Sequence, residues 1–135
     1  MARQIKLESL EWIEIVDADN NVTGSFLWNP ADLDIVKRCE KVLESFEHME
    51  IPKEEDEQMI FALSDEIKRQ FDYLLNSNAS ETLFEKCNPF SPRPDGALYA
   101  EYVLDVLVKF IETELDVRMK KTTSRIKKYT AKYGR

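Results

Sequence analysis

The chain is short of several things, and each shortage excludes something. Its 135 residues include three glycines, one histidine and two cysteines. So few glycines leave no flexible glycine-rich linker, and no internal repeat divides the chain, so a single domain is expected. No run of eighteen apolar residues is present to span a membrane. The opening MARQIKLESLEW has no apolar core of a signal peptide, so Cys39 and Cys87 are expected as reduced thiols. The phosphate-binding and dinucleotide-binding glycine patterns, the G-x-S-x-G elbow and the H-E-x-x-H helix are all missing.

The lone histidine narrows the chemistry further. His48 has Glu47 beside it and Glu44 a turn earlier, but the two cysteines form no C-x-x-C pair, so a zinc site would need ligands gathered from scattered positions. His48 reads as a solvent-facing residue near a helix end, and Cys39 as a small core residue. Asp17-Ala18-Asp19-Asn20-Asn21 opens like a calcium loop. Its sixth position is Val22 rather than glycine, and its twelfth is Trp28 rather than a bidentate glutamate, so a hairpin turn is expected instead. The acidic run Glu54 to Glu57 reads as a helix start favoured by the helix dipole, not as a carboxylate pair for acid–base work. No metal, cofactor or enzymatic activity is expected from these residues.

What is present is charge, unevenly distributed. The net charge is −7, yet all 26 acids lie at or before Asp116, where eleven basic residues leave a balance of −15. The last nineteen residues hold eight bases and no acid. Such asymmetry points to two surfaces with different partners, or to one surface that docks on the opposite end of another copy.

The apolar pattern supplies an architecture. Ile5 to Val16 is rich in β-branched and aromatic residues, with a slip of phase near Ser9, and Val22 to Trp28 reads as a second strand. Together they predict a β-hairpin over residues 1–28. Two strands alone are marginal, so they should lie on the helices or pair across a dimer.

A helical body is expected over 29–116. Asn29 is placed to cap its first helix, with Pro30 at the first helical position. Ile35, Cys39, Val42, Phe46 and Met49 form the seam of that helix, widened by Val36 and Leu43. Pro52 opens a second helix that buries Ile60, Leu63, Ile67, Phe71 and Leu74 and stops at Asn76-Ser77-Asn78. A helical turn follows over Ser80 to Cys87. The prolines of Asn88 to Gly96 then forbid regular structure, and Asp95 is placed to cap the last helix. That helix is apolar on several sides from Leu98 to Ile111. The fold class is therefore α+β, mainly α: a hairpin, then three helices, the last long and basic.

The basic arm, 117–135, narrows to a seam of Leu115, Met119, Thr122, Ile126, Tyr129 and Tyr133 flanked by Arg118, Lys120, Lys121, Arg125, Lys127, Lys128 and Lys132. Lysines alternating with tyrosines suit nucleic acid. Against that, the acidic body repels phosphates over a Debye length, and the aromatics keep helical core spacing. A protein partner is therefore the favoured reading of these residues.

The order of pieces also resembles a known family. A short hairpin with an Asp17-Ala18-Asp19 turn leads into a helix bearing Asp34-Ile35-Val36-Lys37-Arg38-Cys39-Glu40-Lys41-Val42-Leu43. An acidic second helix precedes the joint Leu83-Phe84-Glu85-Lys86-Cys87-Asn88-Pro89-Phe90, and the long last helix ends with Arg125, Ile126, Tyr129 and Arg135. This resembles small proteins encoded in the tail-gene clusters of phages and prophages of Gram-positive bacteria, similar to tail assembly chaperones. The resemblance implies a non-enzymatic protein in the cytoplasm of the bacterial host. It would bind another tail protein, such as the helical tape measure, and keep it soluble, and it would form a homo-oligomer. The alternatives it leaves are a structural, self-assembling tail or virion component and, further off, a nucleic-acid-binding regulator.

Overall fold

A computed structural model describes residues 2–50 and 56–132 of the chain, with side chains as far as Ser124. The break at Ile51-Pro52, the acids Glu54 and Glu55, and the side chains of Arg125 onward lie outside the described residues. The architecture is α+β and mainly helical, an N-terminal two-stranded antiparallel hairpin followed by helices.

Strand β1 (Glu11–Val16) pairs with β2 (Val22–Trp28) from Glu11 opposite Trp28 to Val16 opposite Val22, with a register shift between Ile15 and Val16. Asp17 builds the turn. Its Oδ1 accepts the backbone N–H of Asp19 and of Asn21, each at 2.9 Å. Asn20 takes φ 65°, the left-handed conformation that asparagine tolerates. The N–H of Asn21 holds the Asp17 carboxyl below the ordinary aspartate range. Asp17, the first of the calcium-like residues, thus spends its oxygens on its own turn.

The strand expected from Ile5 starts only at Glu11, and the irregularity expected near Ser9 falls instead beside the turn. The reason is the length of the partner. β2 ends at Trp28, opposite Glu11, and the chain then swings into Asn29-Pro30, so residues 2–10 have no strand beside them.

Two local expectations about helix starts are also corrected. Asn29 does not cap the first helix: its Oδ1 accepts the Ala31 N–H at 3.1 Å, Asp32 Oδ1 accepts the Asp34 N–H at 3.1 Å, and α1 (Asp34–Glu47) begins after these two turns. Pro30 is buried beneath them rather than heading the helix. Ile35 and Val42 are buried and Cys39, Phe46 and Met49 pack against the core, but Val36 and Leu43 stay exposed. Among the described residues α1 packs chiefly on α2, a contact that leaves these two side chains out. Arg38 locks that contact, its Nε donating at 2.9 Å to the Leu74 carbonyl and its guanidinium lying 3.4 Å from Asp32.

Helix α2 (Glu57–Leu75) starts with Asp56, whose carboxylate accepts the Met59 N–H at 3.2 Å. It buries Ile67, Phe71 and Leu74, while Ile60 and Leu63 are half-buried. It stops at Asn76, left-handed at φ 49°, with the Ser77 N–H reaching back to the Asp72 carbonyl at 3.2 Å. That bond pattern is the Schellman close.

Asp72 then receives the next element. Its two oxygens accept the N–H and hydroxyl of Ser80, both at 2.8 Å, seating the single turn α3 (Ser80–Leu83), shorter than the segment expected to reach Cys87. In the proline loop, Asp95 accepts the Ala97 N–H at 3.0 Å and shapes a turn that includes Gly96 at φ 87°; it does not cap the last helix.

Helix α4 (Tyr99–Lys132) crosses the body, burying Ala100, Val103, Leu104, Leu107 and Ile111. A chain of edge-on aromatic contacts runs from Phe46 through Phe71 and Phe84 to Tyr99, tying α1, α2, the loop and α4 together. The hairpin rests on α3 so closely that a Cβ at Gly24 would overlap the Thr82 methyl group.

Candidate functional site

Two surfaces stand out, both on α4. The first is where the helix leaves the body. Arg118 is the last half-buried residue of the described side chains; Met119 to Ser124 are exposed, and the helix continues to Lys132. From Arg118 onward that is roughly 20 Å of further helix.

The base of this extension is anchored by charge. The Arg118 guanidinium donates to Glu11 at 2.6 Å and lies 3.3 Å from Glu114, joining α4 to the start of β1. The Glu11 hydrogen bond raises the guanidinium further above its ordinary value, so it stays a cation. Lys120 pairs with Asp116 at 3.0 Å one turn back, and Lys121 is exposed. Met119 is 49% exposed and Leu33 63% exposed. With Leu115 and Thr122 these two line a shallow cleft of about 390 Å³ beside the Asn29–Ala31 turn.

Of the residues proposed from sequence for partner binding, Arg118, Met119, Lys120 and Lys121 therefore sit together at the base of the arm. Two of its cations are already committed to intramolecular acids. The side chains of Arg125, Ile126, Lys127, Lys128, Tyr129, Lys132 and Tyr133 lie outside the described residues.

The second surface was not singled out from sequence. An open apolar groove of about 350 Å³ runs between the hairpin and α4, with Ile13, Ile15 and Trp28 on one wall and Tyr102, Val106 and Phe110 on the other. Trp28 is 1% exposed and stacks on Phe110 with ring centroids 5.6 Å apart. Its indole N–H has no hydrogen-bond partner among the described residues. Arg93 lies over the Tyr102 ring at 3.6 Å from its centroid, a cation–π contact at one end of the groove. The signal for this surface was in the sequence. Tyr102, Val106 and Phe110 recur every four residues, a second stripe on α4 in addition to the one that fills the core.

The residues weighed for catalysis are dispersed. His48 ends α1 and is exposed, while Cys39 and Cys87 are each half-buried. Burial pushes the Cys39 thiol up, away from the thiolate that nucleophilic chemistry uses. Among the described residues no three His, Cys, Asp or Glu side chains gather as a metal set, and no helix is long and apolar enough to cross a membrane.

Compared with protein-family models, with curated proteins and with solved structures, the chain matches none.

Proposed function

We propose that the chain is a non-enzymatic binding protein that assists the assembly of a phage or prophage tail by holding another tail protein, such as the tape measure, in soluble form. The observation that carries the reading is the course of α4. One continuous helix is rooted in the core by Leu104, Leu107 and Ile111 and runs on past Arg118 to Lys132, its described side chains from Met119 to Ser124 all exposed. A narrow apolar stripe on such a helix is poorly stable in water by itself and gains by packing on a partner helix. Leu115, Met119 and Thr122 are the described members of that stripe, and in the sequence Ile126, Tyr129 and Tyr133 follow at helical spacing.

In this reading the stripe supplies apolar contacts to a long amphipathic client helix, and the flanking lysines and arginines steer it in and keep the complex wet. The acidic body keeps the loaded assembly soluble through its excess negative charge.

Co-expression with a tape-measure protein tests this. The wild-type chain is expected to hold the client in the soluble fraction and co-purify with it, whereas Ile126→Asp/Tyr129→Asp releases it. Equal retention by the double variant removes the arm from the reading. A client that the wild-type chain neither solubilises nor binds overturns the reading itself.

A further inference from the structure

Among the described residues the hairpin that walls the groove has two open features: a strand edge with no neighbour, and an apolar segment with no strand beside it. In the described sheet β1 pairs with β2 alone, so its other edge carries unpaired backbone groups. An exposed edge of this kind is a template for another strand. Residues 2–10 run past the end of β2, and within them Ile5 and Leu7 are each 85% exposed. Their alternation with Lys6 and Glu8 is the pattern of a strand.

We propose that residues 4–9 of a second copy of this chain add to the free edge of β1 as an antiparallel strand and close the groove, and that the exchange is reciprocal about a two-fold axis at Leu10. The sheet then has four strands, with the two β1 strands, each extended through residues 4–16, at its centre. An isologous contact of this sort uses the same segment on both copies.

The sequence selects the register. With Leu10 opposite Leu10 of the second copy, Leu7 falls opposite Ile13, Ile5 opposite Ile15, and Lys6 opposite Glu14. Side chains directly opposite share a face. Ile13 and Ile15 face the groove, so Leu7 and Ile5 of the second copy point into it, toward Val106 and Phe110. On the outer face, Lys6 meets Glu14 twice by symmetry, an attraction between opposite charges across the strands. Shifting the axis to Glu8 sets Glu8 against Glu8 and Ile5 against Glu11; shifting it to Glu11 sets two glutamates together. An axis at Leu7 leaves the edge from Glu14 to Val16 uncovered, and one at Ser9 sets Leu7 against Glu11.

Dimerisation is read on the purified chain alone, by light scattering or sedimentation, so it succeeds or fails independently of client binding. The wild type is expected as a dimer. Ile5→Lys/Leu7→Lys is expected to be a folded monomer, because both side chains lie outside the core and circular dichroism should not change. Lys6→Glu should weaken the dimer about tenfold, and adding Glu14→Lys should restore it. Under oxidation Leu10→Cys should crosslink through residue 10, whereas Leu7→Cys should not. A monomeric wild type, a dimer that survives Ile5→Lys/Leu7→Lys, or crosslinking at Leu7→Cys in place of Leu10→Cys overturns the proposal.

Discussion

The two halves of α4 are made of one helix and live in two environments. From Tyr99 to Ile111, every third or fourth residue is buried against β2, α2 and the proline loop. Beyond Arg118 the described side chains are exposed, although Met119 continues an apolar stripe begun at Leu115. The difference teaches that apolar spacing on a helix reports a demand for a partner, while the rest of the fold decides whether the demand is met internally. In the first half the core stripe is covered within the chain, while the second stripe, Tyr102, Val106 and Phe110, lines the open groove. In the second half Met119 is exposed, and so are Ile5 and Leu7 at the other end of the sequence.

The sharpest way to separate the halves is to delete one side chain in each. Leu104→Ala removes a buried side chain from the first half and is expected to cost about 2–5 kcal/mol of stability, seen as a lower midpoint in urea unfolding. Arg118→Ala acts at the boundary. It removes a partly exposed pair between α4 and Glu11, so about 0–1 kcal/mol is expected, shrinking as salt is added. Met119→Ala lies just past the boundary and should shift stability by no more than about 0.5 kcal/mol while still weakening client retention. A large loss of stability from Met119→Ala would mean that the second half is packed within the chain after all.

Much of the fold was legible beforehand. Val22 to Trp28 is the strand its β-branched and aromatic residues announced, and Asn76 stops α2 because a short polar side chain accepts the left-handed conformation there. The misreadings share a cause. Asn29 and Asp95 carry the residue types of helix caps, but the amide or carboxyl oxygen of each accepts an N–H two residues on and closes a turn instead. Those two outcomes draw on the same local chemistry, and the path of the chain before the helix selects between them. Val36 and Leu43 were assigned to the seam of α1 by spacing alone, and they stay exposed because α2 covers only one side.

The candidate surfaces divide in the same way. The arm was visible as a block of eight bases without an acid. That Arg118 and Lys120 are tied to Glu11, Glu114 and Asp116 was not, since Glu11 is 107 residues away in the chain from its arginine. The groove needed the hairpin and α4 to be set side by side before Ile13, Ile15 and Phe110 became one surface.

By itself the sequence determined the elements and their demands: strand and helix periods, the turn at Asp17, the stop at Asn76 and the separation of charge. These follow from interactions among residues within a few positions of one another. Only the tertiary structure decided where β1 begins, which apolar stripes are covered and which cations find acids. Each of those depends on the length and placement of an element distant in the chain, and local pattern carries no information about where that neighbour ends.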